Sequence, residues 1–215
     1  MRTSFRKMLL AGAVAAGLGS VASTGATAQT AITFQLNWVA GGSNAGFAAA
    51  VAEGFYKDAG LDVTVVQGNG SGNTAQLVAS GRSQIAYADA VAISQLIAKG
   101  APLKGVSPIY QSNPNEVSAL KKTGIKSIKD LVGKKVGVPS GSSQTTMLPL
   151  LLKANNLKES DVNLINMPAT AMVPSLLKGQ VDAILGSLDS YQIQLDAQSA
   201  PTDQFIFSEQ GVARR

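Results

Sequence analysis

The chain has 215 residues, 45% hydrophobic and 14% charged, a globular composition that suits one or two domains. It contains no cysteine and no histidine, which excludes disulfides, thiolate nucleophiles, Cys/His metal sites and histidine acid–base chemistry. The formal charge of +5 overstates the case: residues 1–28 hold Arg2, Arg6 and Lys7 and no acid, and without them 15 basic residues face 13 acidic ones. That balance leaves no electrostatic footprint for nucleic acid.

Residues 1–28 read as an address. Met1–Lys7 is basic, Met8–Ala22 is apolar and rich in Ala and Gly, and Ala26-Thr27-Ala28 gives a small-x-small cleavage pattern. Together these predict a secretory signal peptide cut after Ala28. No Arg-Arg pair stands in this stretch, which favours the general secretion route over the twin-arginine one. No later run reaches the roughly 18 apolar residues of a transmembrane helix. An exported protein, free in the periplasm and not membrane-spanning, is expected.

Short apolar runs then alternate with helical patterns. Ile32–Trp38 predicts a strand, and Asn44–Ala59 a helix with Phe47, Val51, Phe55 and Ala59 on one face, stopped by Gly60. Leu61–Gln67 is β-branched and reads as a strand, 68–73 as a Gly/Asn/Ser loop, and Thr74–Ser80 as a short helix closed by Gly81. Strand Gln84–Ala88, helix Ala90–Lys99 and strand Leu103–Gln111 follow. The polar stretch Gln111–Glu116, with Pro114, is the expected boundary between a first lobe (29–115) and a second (116–215). In the second lobe Val117–Lys121 reads as extended and Ser127–Leu131 as a short helix capped by Ser127. Lys135–Val138, Val162–Met167, Asp182–Gly186 and Gln204–Ser208 read as strands. Ser143–Asn155, Thr170–Lys178 and Ser190–Ala197 read as the helices between them. Such alternation implies βαβ units and a largely parallel sheet, an α/β fold.

Two loops stand where an open α/β sheet binds ligands, after a strand and before a helix. Gly68-Asn69-Gly70-Ser71-Gly72 could cradle an anion on backbone N–H groups or be a plain flexible turn. It is not a dinucleotide fingerprint, since Asn73 stands where the third glycine belongs. Pro139-Ser140-Gly141-Ser142-Ser143 offers hydroxyls at a helix start, or an ordinary serine cap. It is neither a P-loop nor a nucleophile elbow. Trp38, the single tryptophan, is either a stacking plate at the end of the first strand or a core residue. Asp89 and Asp189 sit just past strands and read either as hydrogen-bond acceptors for a ligand or as helix caps. The lysines at 121, 122, 126, 129, 134 and 135 read as a solvated face or, as the alternative, a docking surface.

Leu36–Gly81 (LNWVAGGSNAGFAAAVAEGFYKDAGLDVTVVQGNGSGNTAQLVASG) resembles the opening of the nitrate/sulfonate/taurine and thiamine-precursor solute-binding proteins of ABC importers. Gln84–Ala90 (QIAYADA) matches the next strand of that family, Gly124–Leu157 the start of its second lobe, and Gly179–Gly186 (GQVDAILG) a later strand. Each motif is weak alone, but the ordered set covers nearly all of the chain after residue 28. The resemblance implies a type II periplasmic-binding-protein fold, two α/β lobes clamping a small ligand. By similarity the ligand-facing positions are Trp38, Asn44, Gly70, Ser71, Gly72, Asn73, Asp89, Ser140, Gly141, Ser142, Ser143, Thr170 (within the segment Met167–Thr170) and Asp189. The sequence departs from the family twice. Ser43-Asn44-Ala45 stands where many relatives carry a histidine, which leaves Asn44 as its replacement. Full relatives also continue past Arg215, so a C-terminally truncated chain is expected, with lobe one short of a late strand and its covering helix.

The implied mechanism is capture. Ligand enters an open cleft, binds the closed form better, and the closed form docks on a membrane permease. No cofactor or metal is called for, and a monomer is expected. Three other readings stand beside it. The fungal thiamine-pyrimidine synthases share the fold but rely on histidine and cysteine, which this chain lacks. A cytosolic regulator would need a helix-turn-helix in place of an export signal. A truncated fragment without function is the third. For the ligand, a nitrate-, sulfonate- or taurine-like anion competes with a pyrimidine-like heterocycle. Trp38 with Asp89 and Asp189 suits the heterocycle somewhat better, because the only arginines after residue 28 are Arg82, Arg214 and Arg215.

Overall fold

A computed structural model describes residues 28–212. The expected signal peptide, apart from Ala28, lies outside them. Strand β1 (Thr30–Gln35) leads through a 3-10 turn at Gly42–Asn44 into helix α1 (Ala45–Ala52). Helix α2 (Phe55–Asp58), strand β2 (Leu61–Val66), helix α3 (Ser71–Ala79), strand β3 (Ile85–Ala86) and helix α4 (Ala90–Ala98) follow. The three strands form one parallel sheet in the order β2-β1-β3, with Thr30 opposite Leu61 and Phe34 opposite Ile85.

The second sheet has five strands. Strand β4 (Asn115–Leu120) precedes a 3-10 turn at Ile128–Leu131, strand β5 (Lys135–Pro139) and helix α5 (Ser143–Ala154). Then come strand β6 (Asn163–Met167), helix α6 (Met172–Leu177), strand β7 (Ala183–Ser187), helix α7 (Tyr191–Ala197) and strand β8 (Thr202–Ile206). The order is β6-β5-β7-β4-β8. β5 runs parallel to β6 and β7, whereas β4 runs antiparallel to β7 and β8. The molecule is thus two α/β lobes, and the second sheet is mixed rather than wholly parallel.

The core is concentrated in the second lobe. Successive strand residues face opposite sides of the sheet, so β4 sends Val117 and Ala119 to one cluster and Leu120 to the other. On the first side they meet Leu148, Leu151 and Leu152 of α5; on the second, Leu120 joins Met172 and Leu176 of α6 and Leu195 of α7. The first lobe buries far less: Leu36, Ala75 and Ala92 are its buried apolar residues among those described. The apolar run of α1 buries none of its residues, and Val51 and Phe55 are exposed.

Three expectations are corrected. The single helix expected over 44–59 is broken at Gly54, whose φ of 80° is left-handed and ends α1 before α2 begins. The strand expected over 103–111 does not form. Pro102 and Pro108 lack ladder donors, no described strand lies alongside, and Val106 is 89% exposed. Glu116, expected in a polar boundary loop, lies fully buried on β4, where both its neighbours are strands.

Candidate functional site

In both lobes the parallel strands point their carboxyl ends at the same gap. β1 delivers Trp38, β2 the loop 68–70, and β3 Tyr87 and Asp89. β5 delivers residues 140–142, β6 the stretch to Thr170, and β7 Asp189. An open α/β sheet binds ligands at such ends, because helix starts and loop donors gather there.

A tyrosine hydroxyl makes a side-chain hydrogen bond between the lobes. The Tyr110 hydroxyl, on the irregular connection between α4 and β4, donates to Asp189 Oδ2 at 2.9 Å. The Ser187 hydroxyl donates to Asp189 Oδ1. Asp189 is therefore held from two sides and is not the helix cap; Ser190 occupies that position. Tyr87 is half-buried near Tyr110, Asp189 and Asp89; burial first, then these charges, push its phenol well above the ordinary range. Tyr110 is raised by burial and by its bond to Asp189, and Tyr191 by burial. All three phenols stay protonated; Tyr110 and Tyr191 spend their protons on protein acceptors, which leaves Tyr87 as the donor for a ligand.

Trp38 is half-buried and packs edge-to-face on Tyr191, with ring centroids 6.2 Å apart and planes at 71°. It touches the second lobe's core, so one side of the indole is already committed. Tyr191 is itself tied down, its hydroxyl donating to the Ala169 carbonyl at 3.1 Å beside Thr170. Asp89 caps α4, accepting from the Val91 N–H at 2.8 Å, and its own N–H donates to the Ser71 hydroxyl at 3.0 Å. The structure thus brings Ser71 and Asp89 together and leaves one carboxylate oxygen of Asp89 without a protein partner.

The two glycine-containing loops meet each other. The Gly72 N–H donates to the Gly141 carbonyl at 3.3 Å, and the Gly70 N–H donates to the Asn37 carbonyl at 2.7 Å. Two of the N–H groups that could cradle an anion are therefore already bonded. Asn73 is exposed and its amide donates to Asn69 at 3.1 Å. Ser142 is the N-cap of α5, accepting from the Thr145 N–H at 3.2 Å, while Ser140 is exposed and Ser143 lies buried against Asn115 at 3.4 Å. Thr170 is exposed at the rim. Asn44 stands apart: its side-chain Oδ1 accepts from the Gly41 N–H at 2.9 Å. It lines a separate open hollow of about 610 Å³ with Leu36, Gly41, Ala48, Val65 and Gln67.

Sequence reasoning missed Tyr87, Tyr110, Tyr191 and Ser187. One signal was available: the chain has four tyrosines, and Tyr87 stands two residues before Asp89 in the quoted motif QIAYADA. Tyr110 reaches Asp189 across 79 residues, a pairing no local pattern announces.

Residues 43–215 match the family described as NMT1/THI5 like. A Haemophilus influenzae protein whose name assigns it to thiamine biosynthesis is 30% identical over 183 residues, 85% of this chain and 58% of that protein. A formylaminopyrimidine-binding protein of Halalkalibacterium halodurans is 24% identical over 161 residues, covering 75% of this chain and 48% of its own. The 4-amino-5-hydroxymethyl-2-methylpyrimidine phosphate synthase THI13 of Saccharomyces cerevisiae is 24% identical over 166 residues, 77% of this chain and 48% of the enzyme. Among solved structures, the alkanesulfonate-binding protein SsuA from Xanthomonas axonopodis pv. citri, bound to MOPS, superimposes with a TM-score of 0.63 at 17% identity. That match covers 83% of this chain and 60% of SsuA, and it concerns the fold, a two-lobed periplasmic-binding-protein architecture. The chain thus spans about half to three-fifths of the length of these relatives.

Proposed function

We propose that this chain, which belongs to the NMT1/THI5-like family, captures a small ligand between its two lobes as the extracytoplasmic solute-binding subunit of an ABC importer. The periplasm is its proposed site of action, an ABC permease its proposed partner, and a monomer its proposed state. The basic, apolar and small-x-small pattern of residues 1–28 supports the location. Among the described residues no helix is long and apolar enough to cross a membrane.

One observation carries the reading: Tyr87, Tyr110, Asp89 and Asp189 gather from both lobes at the strand ends, beside Trp38. Such a group can hold a ligand without doing chemistry on it. For the ligand class we favour a flat nitrogen heterocycle of the pyrimidine kind. Two carboxylates accept from ring or amino N–H groups, the Tyr87 phenol donates to a ring nitrogen, and aromatic faces stack. Arg82, the one arginine among the described residues, is not in this group, and two loop N–H groups are already bonded, both of which weigh against a sulfonate clamp. The name of the formylaminopyrimidine-binding relative points the same way. The synthase reading gains nothing from this chain, which supplies neither histidine nor cysteine.

Isothermal titration tests the choice. Saturable heat with an aminopyrimidine, lost in Asp189→Asn, is expected. Saturable binding of an alkanesulfonate together with none of an aminopyrimidine would overturn the ligand class.

A further inference from the structure

The loop after β2 and the loop after β5 come from different lobes, yet they touch backbone to backbone. Besides the bond from the Gly72 N–H to the Gly141 carbonyl, the fit at Gly70 is closer than any side chain permits. A Cβ there would lie 2.2 Å from the Gly141 carbonyl oxygen and 2.5 Å from its carbon. Ordinary non-bonded contact begins near ~3.5 Å. Gly70 also holds φ at 132° and Gly141 at 72°, both in the region that favours glycine.

Each side of the contact is braced within its own lobe. The Gly68 N–H donates to the Trp38 carbonyl at 2.9 Å and the Gly70 N–H to Asn37, so the first loop is fixed to the strand end that carries the tryptophan. The second loop is a tight turn, the Ser142 N–H donating to the Pro139 carbonyl at 3.3 Å, locked by the Thr145 hydroxyl on the same carbonyl at 2.9 Å. Neither loop can yield far without moving its sheet.

We propose that Gly70, Gly72 and Gly141 form a side-chain-free seam that stops the closing motion of the two lobes and so sets the thickness of ligand the cleft accepts. The inference rests on the reading of the chain as a two-lobed clamp and adds where the clamp comes to rest. A seam without side chains lets the sheets approach until backbone meets backbone. The width of the gap beside Trp38, Asp89 and Asp189 is then set by the seam. A side chain in the seam acts as a wedge: it raises the energy of the closed form, leaves each lobe intact, and weakens binding in proportion to the closed population lost.

Gly72 gives the cleanest test, because its backbone is not left-handed and its added Cβ would sit 3.4 Å from the Gly141 oxygen, an ordinary contact. Gly72→Ala is the control, and Gly72→Leu and Gly72→Phe are the wedges, since both keep a backbone that any residue adopts. The chain has no cysteine, so Lys57→Cys and Lys158→Cys place one spin label on each lobe without background. Both positions are exposed. Pulsed electron resonance on the ligand-free protein should show a short-distance, closed component in wild type and Gly72→Ala, and the loss of that component or its shift to longer distance in Gly72→Leu and Gly72→Phe. Melting temperature should be held in Gly72→Leu. Aminopyrimidine affinity should fall about tenfold or more in the wedged forms, as expected if their closed population drops to about a tenth or less of the wild type's. Unchanged distances in both wedged variants would overturn the seam. Because the distances are read without ligand, a wrong ligand class would fail in the titration alone and leave this result standing.

Discussion

Replacing Glu116 with glutamine should remove a pH dependence of stability that the fold builds into its second lobe. Glu116 is fully buried on β4, and neither carboxylate oxygen nor the neighbouring Ser118 hydroxyl has a hydrogen-bond partner of proper geometry. Burial pushes its pKa up from 4.5 to about 7; the nearby Ser118 hydroxyl pulls it partly back, while Asp196 and Asp189 raise it further. The folded protein therefore holds a proton that the unfolded chain releases above its ordinary carboxyl range. Between these two values the native state binds more protons, so stability falls as pH rises. The contribution is complete below about pH 4.5 and is lost as pH climbs through about 7. Worked through linkage, the cost between pH 5 and pH 8 is on the order of 2–3 kcal/mol. Glu116→Gln keeps the size and the neutral state at every pH. Urea unfolding at pH 5 and pH 8 should show wild type losing on the order of 2–3 kcal/mol more than the variant over that interval. Equal losses in the two proteins would refute the argument and mean that Glu116 finds partners or water in the fold.

Other outcomes follow from the same packing. Leu151→Ala, at a fully buried position facing β4, should cost about 2–5 kcal/mol by leaving a cavity, read as a lower urea midpoint. Backbone amides of β4, β5 and β7 should exchange with solvent far more slowly than those of β1–β3, because the second lobe holds nearly all the buried apolar side chains; equal protection in both sheets would contradict that division. Trp38→Ala should weaken ligand binding while leaving a cooperative unfolding transition, since Trp38 lies at the edge of the second core rather than inside it. Wild-type affinity in that variant would remove it from the site.

The alternation of strand and helix was legible because it is local, and β1, β2, α3, α4, β5, α5 and β7 appear within a few residues of where the pattern puts them. What escaped depends on neighbours far along the chain. Leu103–Gln111 has the apolar residues of a strand, but a strand needs a partner and free donors, and Pro108 inside it, Pro102 just before it and its isolation deny it both. Glu116 and Ser118 alternate with Val117 and Ala119 as in a half-exposed strand, yet helices cover both faces of β4. At the candidate site, Asp89 and Asp189 could be singled out from their place after strands. Their different uses, one as a cap and the other as an acceptor for Tyr110, come from contacts that the sequence does not display.

Thermal unfolding of the chain in rising concentrations of an aminopyrimidine, with an alkanesulfonate as the parallel series, tests the central claim most directly. A ligand that binds only the native state raises the midpoint in step with the logarithm of its concentration above Kd. A cooperative transition whose midpoint climbs with the aminopyrimidine is the predicted result. A cooperative transition that neither series moves would contradict the account of this cleft as a ligand-capturing site.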